Sequence, residues 1–171
     1  MHRSSLEAKI VIHEGYRIAR LTLHGEVGVG GFESSHFYGA LQRLGRYDLI
    51  FAYLDSPGGA AFDAWIIYDY LKSGPASRYP SLVVVTGECV GVAILIALGF
   101  QQVLMRSDAY MRFEGISLTN AKAARRSTQL MAGLVARHAR CDQKQVIRWI
   151  HEHYVFTAKQ CLRYHLCNAI I

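Results

Sequence analysis

The sequence predicts an α/β fold built on a largely parallel sheet flanked by helices, and three observations point to it. Two short apolar runs, Asp48 to Leu54 (DLIFAYL) and Ser81 to Thr86 (SLVVVT), lack the polar alternation of a half-exposed strand and read as strands covered on both faces. Each leads into a glycine-containing turn and then into residues with apolar side chains at helical spacing. The order strand, helix, strand, helix, strand is the pattern of parallel pairing through crossovers.

Taken from the start, Lys9 to His13 (KIVIH) and Tyr16 to Leu23 (YRIARLTL) are separated by Glu14-Gly15, a hairpin signal. A glycine-rich turn after Gly25 leads to a helix over Phe32 to Leu44, with Phe37, Ala40, Leu41 and Leu44 on one side. The strand Asp48 to Leu54 stops at Asp55-Ser56-Pro57-Gly58-Gly59. A helix from about Ala60 to Leu71 follows, with Phe62, Ile66 and Tyr70 as its apolar side. The strand Ser81 to Thr86 enters Gly87 to Gly99, read as a turn opening a buried helix. Short strands are expected at Val103 to Met105 and Ala109 to Phe113. From Thr119 to about His138 the chain is alanine-rich and helical, with Ala123, Leu130 and Leu134 as a narrow stripe. Asp142 reads as the N-cap of Gln143 to His153, and Thr157-Ala-Lys-Gln as the opening of one more short helix with a capping box.

Composition sets the class. With 171 residues, 51% of them apolar, the chain can bury one core, so a single domain spanning 1-171 is expected. The net charge is +6, but the one concentration of basic residues (Lys122, Arg125, Arg126, Arg137, Arg140, Lys144, Arg148) reads as a solvated helix face, and nucleic acid is not the expected partner. The longest apolar stretch, Cys89 to Phe100, is too short to span a bilayer, and the amino-terminal residues lack an apolar leader segment, so neither membrane insertion nor secretion is expected. Cys89, Cys141, Cys161 and Cys167 contain no CxxC pair and read as reduced thiols of a cytoplasmic protein.

The segment Ile50 to Gly59 (IFAYLDSPGG), followed by Ile66 to Leu71 (IIYDYL), resembles the Clp-type peptidases, whose pattern is an apolar strand, N/D-SPGG, then a helix carrying IYD. The resemblance implies a ClpP/crotonase-like fold with a helical handle used in self-association. Glycines at the end of a parallel strand let a substrate carbonyl approach backbone N–H groups, so Gly58 and Gly59 are candidates for an oxyanion hole. Ser56 reads as a turn residue bonding its own backbone.

The same resemblance implies that the catalytic triad is gone. The family's serine opens a buried helix; Gly87-Glu-Cys-Val-Gly-Val-Ala93 stands there, and the serine's place falls to Gly91, or to Val90 in the other register. The histidine ends a strand in an M-x-H sequence, where Tyr110-Met-Arg-Phe-Glu114 puts Phe113. Counting back from Thr157-Ala, the aspartate's place falls to His153. Gly91, Gly115 and Ile116 join Gly58 and Gly59 as the expected peptide-binding positions. Cys89, two residues from Gly91, is the one substitute nucleophile, and Glu88, Glu114, His151 and His153 are expected near the crevice.

The function expected is a catalytically inactive, Clp-peptidase-like scaffold or peptide-binding subunit in an oligomeric ring, associating with itself or with an active homologue. It requires no cofactor and no metal; His151 and His153, two apart on a helix, point to different faces. An unconventional peptidase using Cys89 is the first alternative. Acyl-thioester binding of the crotonase kind is the second, although Leu95 stands where a proton-transfer acid is expected. The stretch from Phe113 to Thr157 is shorter than the family's handle, and the amino-terminal axial-loop segment is mostly missing. Ring size, double-ring stacking and unfoldase docking therefore stay open.

Overall fold

β1 (Ser5–His13) and β2 (Tyr16–His24) form an antiparallel hairpin whose two turn residues, Glu14 and Gly15, both have positive φ (49° and 85°). That is the turn whose twist matches paired strands, and Gly15 adopts it without a Cβ penalty. The computed structural model describes residues 5–171; the reading of residues 1–4 as part of a leaderless start lies outside them.

After α1 (Ser34–Arg43) come β3 (Leu49–Ser56), α2 (Ala61–Lys72), β4 (Ser81–Val90), α3 (Ala93–Gly99), β5 (Gln102–Met105) and β6 (Tyr110–Arg112). Then follow α4 (Ala121–Ala139), α5 (Gln143–His151), β7 (Val155–Thr157), α6 (Ala158–Arg163) and β8 (Ala169–Ile170). The sheet runs β1-β2-β3-β4-β5-β8, with β6 beside the far end of β4 and β7 beside β6. Every pairing is parallel except β1–β2 and β6–β7. Leu21, Leu23, Ile50, Leu54, Val83, Val85 and Ala93 to Leu98 of α3 lie in one continuous hydrophobic cluster.

Caps end or begin the helices where the sequence suggested. Asp142 accepts from the Lys144 N–H, and Thr157 with Gln160 forms a reciprocal capping box. The first turn of α1 is capped from across the fold, because Asp63 accepts both the N–H and the hydroxyl of Ser34 (2.8 and 2.7 Å).

Three sequence expectations change. β4 does not end at Thr86 but continues to Val90, so Gly87 is strand and only Gly91-Val92 forms the turn before α3. The cause is a bulge: Leu54 pairs with Val85, while Ser56, two residues on, pairs with Cys89, four residues on. The Asp55 carboxylate fills the bulge, accepting the Glu88 N–H at 2.9 Å and lying where a Cβ on Gly87 would be only 2.6 Å from its oxygen. Next, α2 buries Ala64, Ile67 and Leu71 and turns Phe62 outward at 76% exposure. Both faces of α2 are apolar, and the side with the small Ala64 packs inward, near where Gly99 lies against Tyr68 and Leu71. Finally, α4 buries Met131, Ala132, Leu134, Val135, Ala136 and Ala139, leaving Ala123 and Leu130 exposed.

Replacing Asp55 with Ala leaves the Glu88 N–H without its acceptor, and a loss of about 1–2 kcal/mol is expected in urea denaturation. An unchanged midpoint would show that the bulge holds without the carboxylate.

Candidate peptide-binding crevice

The end of β3, the end of β4 and the residues after β6 meet around Gly91. Ser56 is fully buried and its Oγ accepts the Gly58 N–H at 3.2 Å, so the serine is a turn residue as expected. Gly58 (φ 93°) lies so close to β4 that a Cβ would be 2.7 Å from the Val90 carbonyl oxygen. Gly59 (φ 134°) is pressed against β2's extension, where a Cβ would be 2.2 Å from the Val27 oxygen. Neither position admits another residue without moving backbone.

The hydrogen bonds sort the candidate donors. Gly58 gives its N–H to Ser56, and Gly91 gives its own to the Arg112 carbonyl at 2.9 Å. Among the described residues the N–H groups of Gly59 and Val92 have no acceptor. Of the four glycines expected to bind peptide, Gly59 and Gly115 keep a donor without an acceptor among the described residues, and at the turn before α3 Val92 supplies one that sequence reasoning missed. Its signal was available only in part: the residue after the turn glycine is where a helix leaves its first N–H groups unpaired.

Gly91 (φ 53°) carries no side chain and therefore no nucleophilic atom, and a Cβ there would sit 3.5 Å from the Glu114 Cβ. Glu114 and Arg112 thus share the face of β6 and its extension that looks toward Gly91. Their charges pair at 2.8 Å between Arg112 Nε and Glu114 Oε1, although Arg112 Nε makes no aligned hydrogen bond. Strand alternation sends Phe113 the other way. It is fully buried, tilted against Trp149 and edge-on to Phe156 (5.3 and 5.0 Å between ring centres), in a cluster that Tyr164 closes. Phe113 is a core residue at this place; Glu114 lies beside Gly91, where it was expected near the crevice, and Arg112 is the neighbour that the sequence reading overlooked.

Cys89 lies within β4 rather than in the turn. It is fully buried, and burial, followed by the neighbouring Cys161, Asp55 and Glu88, pushes its thiol well above the ordinary range. The Cys161 thiol is pushed up by burial as well, and that of Cys167 rises to about 11 for the same reason. All four cysteines are unpaired.

Ile116 is buried and its N–H donates to Thr128 Oγ1 at 2.9 Å, so it pins the segment after β6 to α4 and does not offer that donor to a peptide. Gly115, by contrast, is exposed and lines a cavity of about 540 Å³ between this segment and the α4–α5 pair. His153 (φ 49°) and His151 line the same cavity, and Gly91 is not among its walls. Glu88 faces a different neighbour, accepting from the Tyr110 hydroxyl at 3.0 Å. Among the described residues no group of three or more His, Cys, Asp or Glu is placed to hold a metal ion, and no helix is long and apolar enough to cross a membrane.

This arrangement, a parallel sheet whose glycine turn faces a helix-opening turn across β4, is the fold of Clp-type peptidases. ClpP1 from Listeria monocytogenes and a point mutant of it match the chain with TM-scores of 0.78 and 0.77. Each is 18% identical in sequence, over 89% of this chain and 90% of the other. No protein-family model matches the chain, and no curated protein matches it in sequence.

Thiol accessibility checks the burial of Cys89. Brief alkylation of the folded protein, read by mass spectrometry, should modify Cys141 first and leave Cys89, Cys161 and Cys167 intact until denaturant is added. Early modification of Cys89 would contradict this packing.

Proposed function

We propose that this protein is a non-catalytic Clp-peptidase-like subunit that holds extended peptide in the crevice beside Gly59 and assembles with further copies of itself or with an active homologue. The observation that carries the reading is the combination at one place of two free backbone donors, Gly59 and Val92, with a glycine at position 91. Donors of this kind hold a carbonyl oxygen. Hydrolysis needs in addition a nucleophile and a base, and neither Gly91 nor the buried ring of Phe113 provides one.

The set of possible substitutes is short. Cys89 has no path to a substrate and its thiol is held neutral by burial. His153 lines the neighbouring cavity, and Glu114, the carboxylate beside Gly91, is paired with Arg112. For acyl-thioester chemistry, Leu95 is fully buried and apolar, which supports no proton transfer at that position.

Assembly is supported by exposed apolar surface. Phe62 and Leu130 are 76% and 58% exposed and both line a groove of about 620 Å³ between α2 and α4, with Trp65 and Leu134 in its walls. Grouped apolar side chains of this size mark surfaces covered by another protein.

Two measurements test the proposal. Purified protein should not hydrolyse short fluorogenic peptides above the buffer rate, and neither should its Cys89→Ala variant; turnover that vanishes in the variant would overturn the reading. Light scattering should give a mass of several chains, reduced in a Phe62→Ser, Leu130→Ser double variant. A monodisperse monomer for the unaltered protein, with no homologue bound, would remove the assembly part.

A further inference from the structure

The cavity beside Gly115 has a charge that holding a peptide backbone does not require. Its floor is apolar, from Ile147 and Ile150, and the Thr128 hydroxyl fixes the strand-like segment that forms one wall. Its rim carries Arg125 from α4, His151 from the end of α5 and His153 from the turn that follows. No carboxylate lines it. The two acidic residues nearest in sequence to its walls are already committed, Glu114 to Arg112 at 2.8 Å and Glu152 to Arg148 at 2.9 Å. Arg125 forms no ion pair among the described residues.

A guanidinium without a counter-ion, beside two imidazoles able to donate hydrogen bonds, is complementary to a carboxylate. The methylenes of a Glu or Asp side chain would meet the isoleucines while its oxygens reach the rim. Lysine or arginine would face like charge, and a purely apolar side chain would leave the rim donors unused. We propose that this cavity selects an acidic side chain of the bound peptide, with Arg125 as the specificity-determining residue. The inference rests on the peptide-binding reading above and adds to it the chemistry of one subsite.

Fluorescence anisotropy with labelled peptides that are identical except for one central Glu, Gln, Leu or Lys tests it. The Glu peptide should bind about tenfold more tightly than the Gln peptide, equivalent to about 1.4 kcal/mol, and the Lys peptide most weakly. Arg125→Gln should abolish that preference, so that the Glu and Gln peptides bind the variant with equal affinity. Arg126→Gln, which removes the same charge from an exposed position outside the cavity, should preserve it. Equal affinities for Glu and Gln, a preference that survives Arg125→Gln, or one lost equally in Arg126→Gln would each overturn the subsite assignment. Failure of all four peptides to bind would instead overturn the peptide-binding reading beneath it. Both arginines are exposed on α4, so matching melting temperatures for the two variants confirm that the comparison is between folded proteins.

Discussion

The carboxylate of Asp55 sits in the register shift between β3 and β4 that lies just before Gly91. By taking the Glu88 N–H into the end of β3 it makes β4 run ahead of its neighbour by two residues, and that offset brings Val90 over Gly58 and delivers Gly91 to the mouth of the crevice. His24 lies 3.4 Å away on the other side of the same carboxylate, so β2, β3 and β4 are tied at one level by a single side chain. A regular parallel ladder would pair Ser56 two residues earlier on β4, and the glycine turn would then face strand rather than the opening of α3.

From this constraint follows a division of labour among backbone groups. Gly58 and Gly91 use their N–H groups to hold the turns in place, one locally to Ser56 and the other across to β6, while Gly59 and Val92 keep theirs open. The turns thus leave two backbone donors that could orient a carbonyl, while the side chains nearby are engaged elsewhere: Phe113 in the aromatic cluster, Cys89 in the core, Glu114 in an ion pair. Binding and cleavage need different parts, and the proposed function rests on the first set.

The hairpin, the parallel order, the Ser-Pro-Gly-Gly turn and the caps at Asp142 and Thr157 were legible because each depends on residues adjacent in the chain. What the sequence withheld depends on residues far apart. Phe62 and Leu130 look like core positions by spacing, yet both helices carry apolar residues on more than one face, and the choice is made by the small residues that allow close packing. The bulge at Gly87 is invisible without Asp55 opposite it. The use of the Ile116 N–H depends on Thr128, twelve residues away, and the outward turn of Arg112 and Glu114 depends on the exact register of a three-residue strand.

The measurement that bears most directly on the proposal that this crevice holds peptide without cutting it is hydrogen–deuterium exchange of the segments 57–60 and 91–93, with and without a saturating extended peptide. If Gly59 and Val92 donate to a bound carbonyl, both segments should exchange more slowly in the complex while the peptide is recovered intact. Unchanged exchange at both segments alongside protection elsewhere, or recovery of cleaved peptide, would contradict the account.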